Sequence, residues 1–140
     1  MIDNRNADHA ALVLRVSVGV LFLAHGLLKV LVFTPTGTVA FFASLGLPAI
    51  LAYATIAAEV LGGIALVLGV GTRWVSLTLI PVLLGATWAH AGNGWVFSNA
   101  GGGWEFPLFW AVVMGVQALL GDGAHALKLN RSAARRTAAV

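Results

Sequence analysis

Six side chains that carry charge or exchange a proton, Arg15, His25, Lys29, Glu59, His90 and Glu105, stand within or at the ends of otherwise apolar stretches. A charge at the centre of a membrane helix costs about 2.5–3.5 kcal/mol on insertion scales, so such residues usually face a bundle interior and mark function. His, Glu and Lys can move protons, fix the carbonyl oxygens of a quinone or hold an oxyanion. None of them holds an electron, so redox chemistry here needs a bound partner. Cysteine is absent, which excludes a disulfide scaffold, thiolate-held zinc, a Cys-ligated iron–sulfur cluster and a CxxC redox pair. No phosphate-binding P-loop, dinucleotide fingerprint, nucleophile elbow or HExxH motif occurs. His25, His90 and Glu59 form a conceivable two-His, one-carboxylate set, but they lie at different depths without tight spacing, and no metal site is expected.

The elements that position these residues are legible in the composition. Of the 140 residues, 59 % are hydrophobic and 9 % charged, whereas an ordinary soluble domain carries about 25 % charged residues. Four apolar stretches, 10–33, 48–70, 74–90 and 105–120, each approach the ~20 residues that cross a bilayer core. The expectation is an all-α integral membrane four-helix bundle forming one domain over 1–140, with a basic tail at 124–140. The short Gly71-Thr72-Arg73 turn makes the second and third helices an antiparallel hairpin. Positive charges collect on cytoplasmic sides. With the N-terminus inside, Arg5, Arg15, Arg73, Lys128, Arg131, Arg135 and Arg136 fall there and only Lys29 falls outward, giving N-in, C-in. The segment MIDNRNADHA is not read as a cleaved signal. Eight Lys and Arg without a basic stripe argue against a nucleic-acid partner.

Phe41, Phe42, Trp95, Phe97 and Trp104 in or beside the outward loops read as an interfacial aromatic belt, and 38–45 as a short helix on that interface. Pro107 suits the first turn of the last helix, whereas Pro81 kinks the third and opens a cavity. Small residues at four-residue spacing, Ala54/Ala58/Gly62, Gly85/Ala89 and Ala111/Gly115, permit close helix contact. Around the first helix Arg15, His25 and Lys29 fall within an arc of roughly 80°, with Gly19 and Gly26 on the same side. From the helical rise, Glu59 lies near the midplane, His25 about 4–5 Å outward, Lys29, His90 and Glu105 roughly 10–12 Å outward, and Arg15 about 10 Å inward. These depths imply an outward-opening polar pocket, floored by Glu59 and roofed by the loop ending at Trp104. His25, Lys29, Glu59 and His90 are its candidate catalytic residues, and Arg15, Trp104 and Glu105 join them as candidate substrate-binding residues. Plainer readings stay open: Arg15 snorkelling or pairing with Glu59, Lys29 paired with Glu105, His90 capping its helix, and a structural Glu59–His25 bridge.

The order Arg15…His25-Gly26-Leu27-Leu28-Lys29, Leu45-Gly46-Leu47-Pro48, Ala58-Glu59-Val60-Leu61-Gly62-Gly63…Gly69-Val70-Gly71-Thr72-Arg73, Ala89-His90 and a Gly-rich loop ending at Glu105 resembles the DoxX family of small bacterial membrane proteins. The closing Gly121-Asp122-Gly123 also resembles that family's ending, with Asp122 where Pro is common. The resemblance implies a four-helix membrane domain whose polar positions are Arg15, His25, Lys29, Glu59, Arg73, His90 and Glu105. Related DoxD-type proteins are subunits of thiosulfate:quinone oxidoreductase, and some DoxX proteins belong to an oxidative-stress complex with a superoxide dismutase and a sulfurtransferase. The expected function is therefore the membrane subunit of a quinone-linked redox or oxidative-stress system. No covalently bound cofactor is expected, and a quinone is the candidate ligand. Expected partners are the lipid bilayer, a soluble redox enzyme and a second copy of the chain. The competing readings are a non-enzymatic anchor for a soluble redox enzyme and a small-solute transporter.

Overall fold

The computed structural model describes residues 4–127. Lys128, Arg131, Arg135, Arg136 and most of the basic tail lie outside the described residues, as does the Arg5 side chain. The described chain is all-helical, as its composition requires: α1 (Asn4–Leu31), α2 (Thr34–Ser44), α3 (Ala49–Leu68), α4 (Thr72–Ala89), a 3-10 turn at Ala91–Asn93, and α5 (Glu105–Leu120). Two stretches, Asn6–Leu31 and Ala49–Leu68, are long and apolar enough to cross a membrane, and Glu105–Leu120 is a shorter apolar helix. Large apolar side chains face outward on these helices, with Leu119 82 % and Trp74 72 % exposed. That distribution suits lipid rather than water as the surrounding medium.

Helix ends follow local chemistry. α3 stops at Gly69, whose left-handed φ of 75° is open to glycine at little cost. Val70 N–H then donates to Ala65 O at 2.8 Å, closing the exposed carbonyls of the last turn. Gly71, also left-handed, starts α4, and Asp122 Oδ1 accepts from Thr72 N–H at 3.0 Å. A carboxylate from a segment fifty residues away thus caps the positive end of α4, where helix N–H groups lack partners and the dipole favours an anion.

The four longer helices associate unequally: α1 packs along α3 and α4 along α5, while α3 with α4 and α1 with α5 touch much less. Glycine explains the first pair. A Cβ on Gly63 would lie 2.8 Å from Gly19 O, and one on Gly26 would lie 3.2 Å from Glu59 Cβ. Gly19 and Gly26 do face a close neighbour, as their position on the Arg15 side of α1 implies. The small-residue runs behave differently. Gly62 meets Leu79, whereas a Cβ on Gly85 or Gly115 would meet nothing within 4 Å. A four-residue run marks one face of a helix but not what lies across from it.

Between the two pairs sits the core: Val18, Phe22, Leu66, Leu79, Leu83, Trp110, Ala111 and Met114. Below it, at the end where α3 and α5 finish and α4 starts, polar groups knit the helices together. Arg15 Nη1 donates to Leu66 O at 3.1 Å and Val67 O at 2.8 Å, and its Nη2 donates to Ala124 O at 2.9 Å. Arg73 Nε donates to Ala118 O at 3.1 Å. Both cations therefore sit on the last carbonyls of a helix, the negative end of its dipole.

Candidate functional site

On the other side of the core the weakly touching helix pairs leave a cavity of about 700 Å³. Four of the expected site residues line it together: His25 and Lys29 from α1, Glu59 from α3 and His90 at the end of α4. Pro81 and Gly85 of α4 also line it, so the proline inside that continuous helix stands on the cavity wall. Most of the remaining wall is apolar, and such a pocket with a few convergent polar groups is the usual form of a small-molecule site.

Lys29 Nζ donates to both oxygens of Glu59, at 2.9 and 2.7 Å. The Lys29 side chain is 20 % exposed and that of Glu59 9 %, so the charges are mutually compensated in a largely dry place. The open question of the Glu59 partner is thereby answered. Arg15, the alternative, is buried but spends its guanidinium on the α3 carbonyls and Ala124. A Cβ on Gly69 would overlap that guanidinium, so the glycine both turns the chain and makes room for Arg15.

His25 and His90 are oriented by backbone. His25 Nδ1 lies 2.9 Å from Leu21 O, one turn back on α1, and His90 Nδ1 lies 2.9 Å from Gly101 O in the loop before α5. Asn93, in the 3-10 turn, strengthens the second arrangement by donating to Gly101 O and Gly102 O at 3.0 and 2.9 Å. His25 also stands edge-on to Trp110, with ring centroids 5.1 Å apart, and Trp110 packs on Phe106 at 5.6 Å. This aromatic wall comes from α5, whose first turn contains Pro107.

Three expected site residues stand elsewhere. Arg15 lies across the core from the cavity for the reason given. Glu105 begins α5, where its Oε1 accepts from Phe97 N–H at 2.9 Å. It fixes the loop instead of facing Lys29, which is engaged with Glu59. Trp104 stacks edge-on against Trp95, centroids 4.5 Å apart, and its backbone N–H donates to Gly94 O. The loop's contribution to the cavity lining comes from Phe97, Gly102 and Gly103. Among the described residues, no three His, Asp or Glu side chains gather closely enough to hold a metal ion.

Trp110 was not legible as a site residue, although Phe106 and Trp110 at i, i+4 share a helix face and were visible in that respect. Its indole N–H is buried without a partner among the described residues, and other atoms of the residue line the cavity.

The DoxX family model matches residues 10–92 of the chain. That range holds Arg15, His25, Lys29, Glu59 and His90 but not α5. Over 83 residues the chain is 39 % identical to a Bacillus subtilis (strain 168) protein named "Putative oxidoreductase CatD". The match covers 59 % of this chain and 60 % of that protein, so the chain spans less than two thirds of its relative's length. No solved structure matches the chain.

Proposed function

The chain belongs to the DoxX family, and from that premise we propose that it is the membrane subunit of a quinone-linked redox or oxidative-stress system. The supporting observation is the cavity of about 700 Å³ that gathers His25, Lys29, Glu59 and His90 within apolar walls. Its volume and lining fit an aromatic head group with part of an isoprenoid tail. In this reading α1, α3, α4 and α5 all cross the cytoplasmic membrane, with both ends of the chain inside. Arg15 and Arg73 then lie at the cytoplasmic end, and the cavity opens in the outer half.

A quinone supplies two-electron chemistry coupled to proton uptake or release, which the side chains of this chain lack. The residues provide the remainder. Glu59, held by Lys29 through two hydrogen bonds, is a proton donor or acceptor whose charge is balanced whenever it is ionised. His25 and His90 position a ligand oxygen. Leu83 and Trp110 of the core close the inner side of the cavity. The name of the Bacillus subtilis relative agrees with a redox role.

Trp88 and Trp110 line the cavity, so tryptophan emission reports on its occupancy. Titration of the detergent-purified protein with a short-chain ubiquinone or menaquinone analogue should give saturable quenching. Glu59→Gln and His25→Ala should each shift the curve to higher concentration. Linear, unsaturable quenching, or curves that superimpose for all three proteins, would overturn the assignment.

A further inference from the structure

The two cavity histidines share one feature beyond their position. A carbonyl oxygen can only accept, so Nδ1 of His25 and of His90, each 2.9 Å from one, carries the hydrogen. In the neutral ring Nε2 is then an obligatory acceptor. Neither Nε2 has a hydrogen-bond partner among the described residues, and both rings line the cavity. The cavity therefore offers two unused lone pairs on histidine.

We propose that the cavity binds an aromatic ring in its reduced, hydroxyl-bearing form, with His25 Nε2 and His90 Nε2 accepting hydrogen bonds from ring hydroxyls. The inference rests on the quinone-class reading above and adds the redox state and the atoms that recognise it. A hydroxyl carries a hydrogen, so it can donate to an imidazole nitrogen. A carbonyl only accepts, and a dione would leave both Nε2 atoms unpaired beside its ring. Unpaired polar atoms in a dry site are costly. Sites built to bond a substrate hydroxyl reject analogues without it more strongly than apolar pockets discriminate by size. Glu59 adds acceptor capacity on the same wall, whereas Lys29, the other cation-bearing donor, already gives two hydrogens to Glu59. The histidines act here as recognition groups, and binding is the whole of the proposal.

The test is calorimetric titration of the purified full chain in detergent under argon, with a short-chain benzoquinol and separately with its quinone. The quinol should bind at least tenfold more tightly. His25→Asn and His90→Asn retain an N–H where Nδ1 stood and remove Nε2. Each should weaken the quinol at least fivefold more than it weakens the quinone. Equal affinities, tighter quinone binding, or Asn variants that weaken both forms alike would overturn this inference while leaving the pocket assignment standing. Absence of binding by either form would overturn both. The comparison of the two redox forms on the unaltered protein decides the matter even where a variant fails to fold.

Discussion

The Lys29–Glu59 pair is the contact on which most of the site depends, because removing one partner leaves a desolvated charge alone. Loss of one member of a buried pair costs up to about 3–5 kcal/mol. Glu59→Leu should accordingly lower the melting temperature in detergent substantially. The double variant Lys29→Met, Glu59→Leu should recover most of that loss, since apolar replacement of a whole pair is often neutral. Equal melting of the single variant and the unaltered protein would show that Glu59 has no essential partner. The sequence made this layer legible in part through depth: helical rise put His25, Lys29, His90 and Glu105 outward of a near-midplane Glu59, and one cavity holds all of these except Glu105. Partner identity was not legible. Rise and angle fix where a Cα stands, but which carbonyl Arg15 reaches, and that Glu105 bonds the Phe97 amide, depend on side-chain rotamers and loop path.

Helix contacts are governed by which glycines meet a neighbour. Gly63→Val places a branched side chain where even a Cβ would lie 2.8 Å from Gly19 O. Overpacking of that kind costs about 1–3 kcal/mol or more, and it should lower the melting temperature while pushing α1 from α3. Gly115→Ala meets nothing within 4 Å and gains about 0.5–1 kcal/mol from helix propensity, so it should leave melting unchanged or raised. A reversed order of these two variants in thermal melting would contradict the seam. Asp122→Ala removes the acceptor of the Thr72 N–H and should cost about 0.5–2 kcal/mol, as loss of an N-cap does. Asp122→Asn, which keeps an oxygen, should cost less in the same measurement. The element boundaries were nearly readable from apolar run lengths, because span length is set by the medium. The choice of Gly63 over Gly62 as the contact glycine was not, since adjacent residues differ by only about 100° in azimuth.

For the whole molecule, composition alone indicated that lipid replaces water around much of the chain, and the outward-facing Leu119 and Trp74 agree. Topology is testable directly, because the sequence has no cysteine and any introduced thiol is a unique reporter. With both ends inside, Ser98→Cys in the outer loop should react with a membrane-impermeant maleimide in intact spheroplasts. Leu127→Cys should react only after permeabilisation. Labelling of both before permeabilisation would refute the four-crossing arrangement.

Residues 122–124 reach back to Thr72 and to Arg15, across 50 and 109 positions of sequence. Contacts of such separation close a large loop and form late. The chain emerges from the ribosome from its N-terminal end, so α1, α3 and α4 are made before the residues that join them. During biogenesis Arg15 waits with one hydrogen-bond partner still to be synthesised, and Thr72 waits with an open amide. Nascent chains stalled before Asp122 therefore hold Arg15 by the α3 carbonyls alone and leave the Thr72 amide uncapped, and membrane proteases should clear them faster than chains that extend past Ala124.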